Sequence, residues 1–432
     1  MAKPKEFNVF LLYLFIGLMI LTGSINTITT KVLTKMKGLQ KEFEQHQWFI
    51  TFGMFIGEMF SLLPYLIIII KKRNKSAITI NDIHPEENLV SDSEITATVE
   101  PVTESENKND ENAEDEEEKK KKDLPPANNF IFGISAFCDL CASTLSTFAI
   151  TYLTSSLYQM FRGIELSFIM LFSKIFLKNP IYRHHAIGVG TVIIGLCLVG
   201  LSAIINQEKS TARNPIVGMS LLLCAQLFSS SQYVIQEKFL NSYSINPFQL
   251  VGFEGFWGSL VYIILLIIFQ NISCLNWSDA LQEICIQNEN KEWKIEDTLY
   301  AFRQMNDNIG IWFVYILYIV SIALYNIIGI NLTQLVSSTA RAVVDTVRTV
   351  FVWMFFLIPW SIRPKGSEEH FEVIQFFGFV LLIIGTIIYN EIVELKFCNL
   401  DFYTRTQIAK RKKLKLEEEK NEPEISPISP QE

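Results

Sequence analysis

Apolar residues in this chain come in runs of about twenty, separated by shorter polar joints. That run length matches a helix crossing the hydrocarbon core of a bilayer. Ten such spans are predicted, at roughly 8–30, 47–70, 129–152, 154–177, 184–205, 215–238, 247–270, 309–333, 335–360 and 371–394. The joints at Leu153 and Gln334 are so short that the third and fourth spans, and the eighth and ninth, must form antiparallel hairpins. No small-residue cleavage site follows Val9–Leu21, so that run reads as the first span rather than a leader.

The ninth span breaks the apolar pattern. It carries Arg341, Asp345 and Arg348 at i, i+4 and i+7, a spacing that places all three on one helix face. Each ionisable group at membrane depth costs about 2.5–3.5 kcal/mol on insertion scales, so such groups face one another or a wet pathway. The fourth span repeats the pattern with Tyr158, Arg162 and Glu165, and Gln159 lies near the same face. Sliding the second half of the chain over the first pairs Ser155-Ser156 with Ser337-Ser338. It also pairs Gly188 and Gly195 with Gly378 and Gly385, and Ser24 and Lys31 with Ser231 and Lys238. The predicted fold is therefore all-α integral membrane, with ten transmembrane helices as two five-helix repeats. An odd number of spans per repeat forces the second to insert upside down.

Inverted repeats place a solute site at midplane between the halves. Gln159, Arg162 and Glu165 would face Arg341, Asp345 and Arg348, three cations and two anions around one volume. That balance favours an anionic or polar solute gripped by arginine, or a gate. The same charges could instead neutralise one another within each helix and hold the bundle closed. Asn26, Gln232, Tyr325 and Asn326 are further polar residues at depth that join the candidate site. Gln236 and Asn331 lie at similar depth without an assigned role. Glu58, Asp139 and Glu254 are candidate proton carriers, with interhelical hydrogen bonding as the plainer alternative. Gly188, Gly190, Gly195, Gly200, Gly378 and Gly385 imply close helix packing.

Composition agrees: the chain is 49% hydrophobic, with mean hydropathy +0.25. Its net charge of −8 is misleading, because positions 82–118 alone hold fifteen acidic residues against one lysine. Segment 71–128 cannot bury enough apolar surface to fold and is expected to be a disordered, charged cytosolic linker. It divides the chain into 1–70 (spans one and two), 129–205 (spans three to five), 206–394 (the second repeat, with a lumenal loop at 271–308) and a charged cytosolic tail at 395–432. Lys and Arg concentrate on the side that holds both termini, which places those termini in the cytosol. Asn271 and Asn276 head glycosylation sequons in the 271–308 loop, and Cys274 and Cys285 could pair there.

No nucleophile elbow, metalloprotease motif or metal cluster is present, so no enzyme activity, catalytic residue, metal or cofactor is expected. Nor is nucleic acid a partner. The expected partners are the lipid bilayer, a small-molecule solute, a second copy of the chain as a homodimer, and cytosolic proteins for the linker and tail. Central arginines argue against a cation channel. A membrane scaffold without transport activity is the alternative function.

Several segments resemble a known family: SSLYQMFRG at Ser155–Gly163, QEKF at Gln236–Phe239, Asn246-Pro247, GFEG at Gly252–Gly255, STARAVVDTVRTV at Ser338–Val350 and GTIIYN at Gly385–Asn390. With ten spans they resemble the drug/metabolite transporter superfamily, and within it solute carrier family 35, subgroup F, member 6 proteins. The resemblance implies secondary transport by alternating access, for nucleotide-sugar-like or phosphorylated solutes. It also implies an endomembrane of lysosomal or Golgi type.

Overall fold

The computed structural model describes residues 9–39, 41–43, 46–81, 124–178, 182–205, 215–274, 285–288, 291–357, 372–389 and a few positions between 404 and 414. The first half contains α1 (Val9–Lys35), a short hairpin of β1 (Lys37–Gly38) and β2 (Lys41–Glu42), α2 (Gln47–Met59) and α3 (Leu62–Asn81). It continues with α4 (Phe132–Tyr152), α5 (Ser155–Arg162), α6 (Glu165–Phe176) and α7 (Arg183–Ile205). The second half contains α8 (Pro215–Ser242), α9 (Pro247–Asn271), a hairpin of β3 (Ile286–Gln287) and β4 (Trp293–Lys294), and α10 (Thr298–Asp307). It ends with α11 (Ile309–Leu335), α12 (Ser338–Leu357) and α13 (Val373–Tyr389).

Every predicted span meets a helix or a pair of helices, with informative differences. The second span is interrupted at Phe60-Ser61, and α3 then runs past position 70 to Asn81. The start of the expected linker is thus helical, since its Lys and Arg residues are good helix formers and neither Gly nor Pro intervenes. The rest of the linker, 82–123, lies outside the described residues, as does most of the 395–432 tail. The fourth span divides at Gly163-Ile164, where the Gly163 and Ile164 amides donate three residues back, to Met160 O (3.0 Å) and Phe161 O (3.2 Å). The turn between α11 and α12 falls at Val336-Ser337, two residues beyond Gln334. Here the Ser337 hydroxyl accepts from Ala340 N (3.1 Å) and Glu237 accepts from Ser338 N (2.9 Å), satisfying amides that the first turn of α12 leaves free.

Six helical segments are long and apolar enough to cross a membrane, at Phe10–Lys35, Gln47–Lys71, Asn129–Tyr152, Arg183–Ile205, Pro247–Asn271 and Ile309–Leu335. The chain is an integral membrane protein. Outward side chains on α9 such as Ile263, Ile264, Ile267 and Ile268 are exposed, as a lipid-facing surface requires. The remaining predicted spans fall short for a physical reason. The α5–α6 pair is broken, α8 and α12 carry polar and charged side chains inward, and α13 is short.

Among the described residues the helices pack in matched sets. α1 lies on α11 as α4 lies on α8; α4 lies on α9 as α2 lies on α11; α6 lies on α8 as α1 lies on α12. The pairs α2–α9, α5–α12 and α7–α13 complete the pattern. At the α7–α13 crossing, a Cβ on Gly188 would sit 2.8 Å from Gly385 O, and one on Gly385 would sit 2.6 Å from Gly188 O. Gly195 and Gly378 face each other in the same reciprocal way.

One end of the bundle is capped by two interlocking loops. The α1–α2 hairpin reaches the α9–α11 loop through Leu39 N donating to Asp307 Oδ2 (2.8 Å) and Lys41 Nζ donating to Gln287 O (2.6 Å). The buried His46 Nδ1 meets Glu296 Oε1 at 2.6 Å. A Cys274–Cys285 disulfide closes the start of this loop. Exposed Glu292 accepts from Asn288 and pairs with Lys294, contacts that hold its carboxyl below the usual range. So the described parts of the expected 271–308 loop form a folded cap, with α9 itself running through Asn271.

Candidate functional site

A cavity of about 120 Å³ lies inside the bundle, walled by α1, α2, α4, α5, α8, α11 and α12. Arg162 from α5 and Arg341 and Arg348 from α12 all reach it. So do the expected Asn26, Asp139, Gln232, Tyr325 and Asn326. Arg162, Arg348, Glu165 and Asp345 together line a smaller adjoining recess. The face read from the i, i+4, i+7 spacing is therefore the face that meets the other half of the chain.

The pairing inside that face differs from the simple helical expectation. Asp345 does not pair with Arg341. It takes Arg348 Nε (3.4 Å) on its own helix and Arg162 Nη2 (3.9 Å) across the helix interface. The Tyr325 hydroxyl lies 2.6 and 2.5 Å from its two oxygens and donates its single proton between them. Tyr233 Oη adds a longer contact of 3.3 Å. Arg348 also donates to Gly23 O (3.1 Å), and its guanidinium lies over the Tyr325 ring at 5.0 Å.

Arg341 is satisfied through amides instead. Its Nη1 donates to Gln236 Oε1 (3.1 Å), and Gln236 Nε2 donates to both oxygens of Glu254 (2.9 Å each). Its Nη2 donates to Asn326 Oδ1 (3.4 Å), and Asn326 Nδ2 donates to Glu58. The Arg341 guanidinium stacks 3.9 Å above the Tyr233 ring, a cation–π contact in a dry setting. Two glycines make room for these long side chains. A Cβ on Gly329 would come within 2.6 Å of Arg341 Nε, and one on Gly23 within 2.5 Å of Arg348 Cδ.

The charge balance is the main correction to the sequence reading. Glu58, Asp139 and Glu254 interact electrostatically with one another and with Arg341. The interior holds five carboxylates (Glu58, Asp139, Glu165, Glu254, Asp345) against three arginines (Arg162, Arg341, Arg348) and the buried Lys31, not two anions against three cations. Nor are the three carboxylates unpartnered: Asn326 serves Glu58, Ser143 serves Asp139 (2.9 Å) and Gln236 serves Glu254. Glu165 accepts from Ser229 rather than closing an ion pair with Arg162 along the helix, because the chain breaks between them at Gly163-Ile164.

Gln159 does not line the cavity. It is fully buried beside it, and neither amide atom has a hydrogen-bond partner among the described residues. The sequence reading missed Tyr233, Ser143 and Ser229 and gave Gln236 no role. A signal for them was present: Ser229, Gln232, Tyr233 and Gln236 stand at i, i+3, i+4 and i+7 of one span. Asn271 lies in the last turn of α9 with Nδ2 donating to Ile267 O (2.8 Å), and Asn276 lies outside the described residues.

The comparisons with known proteins agree with this architecture. The model of the family described as Solute carrier family 35 (SLC35F) matches residues 126–289. Solute carrier family 35 member F6 of Mus musculus is 30% identical over 382 residues, covering 87% of both chains. The Homo sapiens protein of that name is 28% identical over the same share. An uncharacterised protein of Schizosaccharomyces pombe is 30% identical over 271 residues, covering 63% of this chain and 77% of its own. The chain belongs to solute carrier family 35, with the subgroup F, member 6 proteins.

Proposed function

We propose that this solute carrier moves a small polar or anionic metabolite by alternating access, with its site in the cavity between the fourth and ninth spans. The observation that carries the reading is the convergence of Arg162, Arg341 and Arg348 on one cavity, from helices in different halves of the chain. Three inward-facing arginines, two of them fully buried, are an expensive way to hold helices together, since well-packed apolar residues do so at lower desolvation cost. A solute site repays that cost.

Ten membrane spans in two inverted repeats are the scaffold of this reading. The matched helix contacts and the reciprocal glycines of α7 and α13 support it, because exchanging the two halves maps one set of contacts onto the other. The chain sits in an endomembrane with both termini cytosolic. Glu58, Asp139 and Glu254 carry the coupling protons. The surplus of carboxylates over cations, five against four with the buried Lys31, supports that role, since excess negative charge inside a membrane must be neutralised.

The test is uptake into liposomes across a panel of nucleotide sugars, sugar phosphates, nucleotides and amino acids, with and without an inward proton gradient. Arg162→Ala and Arg341→Ala should each lower saturable uptake at least tenfold. Uptake unchanged in both variants would refute the central site, and uptake blind to the gradient would remove the proton-coupling role.

A further inference from the structure

The cavity wall presents unmet groups of both signs. Asp139 is the one carboxylate on that wall among the described residues. Its Oδ1 accepts from Ser143 (2.9 Å), while Oδ2, buried with the residue only 6% exposed, has no donor at hydrogen-bonding geometry, the Gln232 amide being the carboxyl's other near neighbour. Elsewhere on the wall, Arg348 Nη2 is buried without an acceptor. The Arg162 side chain keeps 17% exposure against 1% for Arg348, and its contact with Asp345 is long at 3.9 Å. Groups buried in this way are costly to leave unmatched, and each is explained if a ligand completes it.

A purely anionic solute would satisfy the arginines and bring its charge toward Asp139. A purely cationic one would satisfy Asp139 and meet the arginines. A molecule carrying both charges completes both. Tyr158 and Tyr318 line the same cavity, and tyrosine rings are suited to an ammonium group. The volume of about 120 Å³ is below the ~300–1,000 Å³ typical of sites for drug-sized ligands, so the solute is small. We propose that the solute is a small zwitterion of the amino-acid class, its anionic group held by the cavity arginines and its ammonium group by Asp139. This rests on the transport reading above and narrows it.

The experiment compares uptake by the reconstituted full-length chain of the proteinogenic α-amino acids, their 2-hydroxy acids and their decarboxylated amines. At least one amino acid should be taken up saturably, with its hydroxy acid and its amine at least tenfold poorer. Asp139→Asn should lower the amino-acid to hydroxy-acid uptake ratio at least tenfold, and Asp139→Glu should keep it. Should Asp139→Asn not fold, ligand-induced thermal stabilisation of the unmodified protein decides the matter. The amino acid should raise the midpoint at concentrations where its hydroxy acid does not. A preferred solute without an amine, or an unchanged ratio in Asp139→Asn, overturns the zwitterion and leaves the transport reading standing. Saturable uptake of no solute in either panel overturns both.

Discussion

At the scale of single residues, Asp345 is the point where the two halves of the chain meet through charge. A carboxylate at that depth is tolerable only because Arg348, Arg162 and the Tyr325 hydroxyl surround it. A hydrogen bond to a charged acceptor contributes about 1.5–3 kcal/mol, and removing the donor alone leaves the acceptor short. Tyr325→Phe should therefore destabilise the detergent-solubilised protein by about 1.5–3 kcal/mol. Tyr233→Phe, whose contact is 3.3 Å, should cost clearly less. Denaturant unfolding of the two variants side by side checks this, and equal losses would mean that Asp345 does not hold the charge assigned to it. The sequence showed that Arg341, Asp345 and Arg348 share a face, because helical spacing alone decides that. It did not show which arginine Asp345 takes. That choice depends on Gln236 and Asn326 arriving from α8 and α11 to occupy Arg341, and the distance between helices is not written in local periodicity.

At the scale of helices, the same division holds. The apolar runs located the helices, six of them long and apolar enough to cross a membrane, because length and hydropathy suffice for that. The interruption at Phe60-Ser61 had a signal in Pro64, which cannot donate to the Phe60 carbonyl and clashes with it, whereas Gly163-Ile164 had none, since a lone glycine is common inside membrane helices. The glycines of α7 were legible as a group but not individually. Gly188 lies against the α13 backbone, whereas a Cβ on Gly190 would meet nothing within 4 Å. Gly188→Ala should push the two helices apart and cost about 1–3 kcal/mol, as overpacking does. Gly190→Ala should be neutral or stabilising by up to about 1 kcal/mol, because alanine is the better helix former. Thermal unfolding of both variants in one detergent separates the cases, and a loss in Gly190→Ala as large as in Gly188→Ala would show that α7 does not pack on α13 by this face.

At the scale of the whole molecule, the interlocked loops offer a test of which way the chain lies in the membrane. The α1–α2 hairpin and the α9–α11 loop join at one end through Asp307, Gln287 and the His46–Glu296 pair. The Cys274–Cys285 disulfide belongs to that cap, and disulfides persist in oxidising compartments, not in a reducing cytosol. On the proposed topology the cap faces away from the cytosol. With the ten spans proposed, the two termini would lie together at the opposite end, the side where Lys and Arg concentrate. In sealed vesicles with the cytosolic face outward, added protease should remove epitope tags from both termini. A membrane-impermeant reductant should leave Cys274–Cys285 intact until the bilayer is permeabilised. Tags on opposite sides would require an odd number of spans and dissolve the five-plus-five repeat. Both tags protected, with the disulfide reduced in intact vesicles, would instead keep the repeat and invert the whole molecule. The cavity, its arginines and its matched helix contacts would then serve transport in the opposite geometric sense.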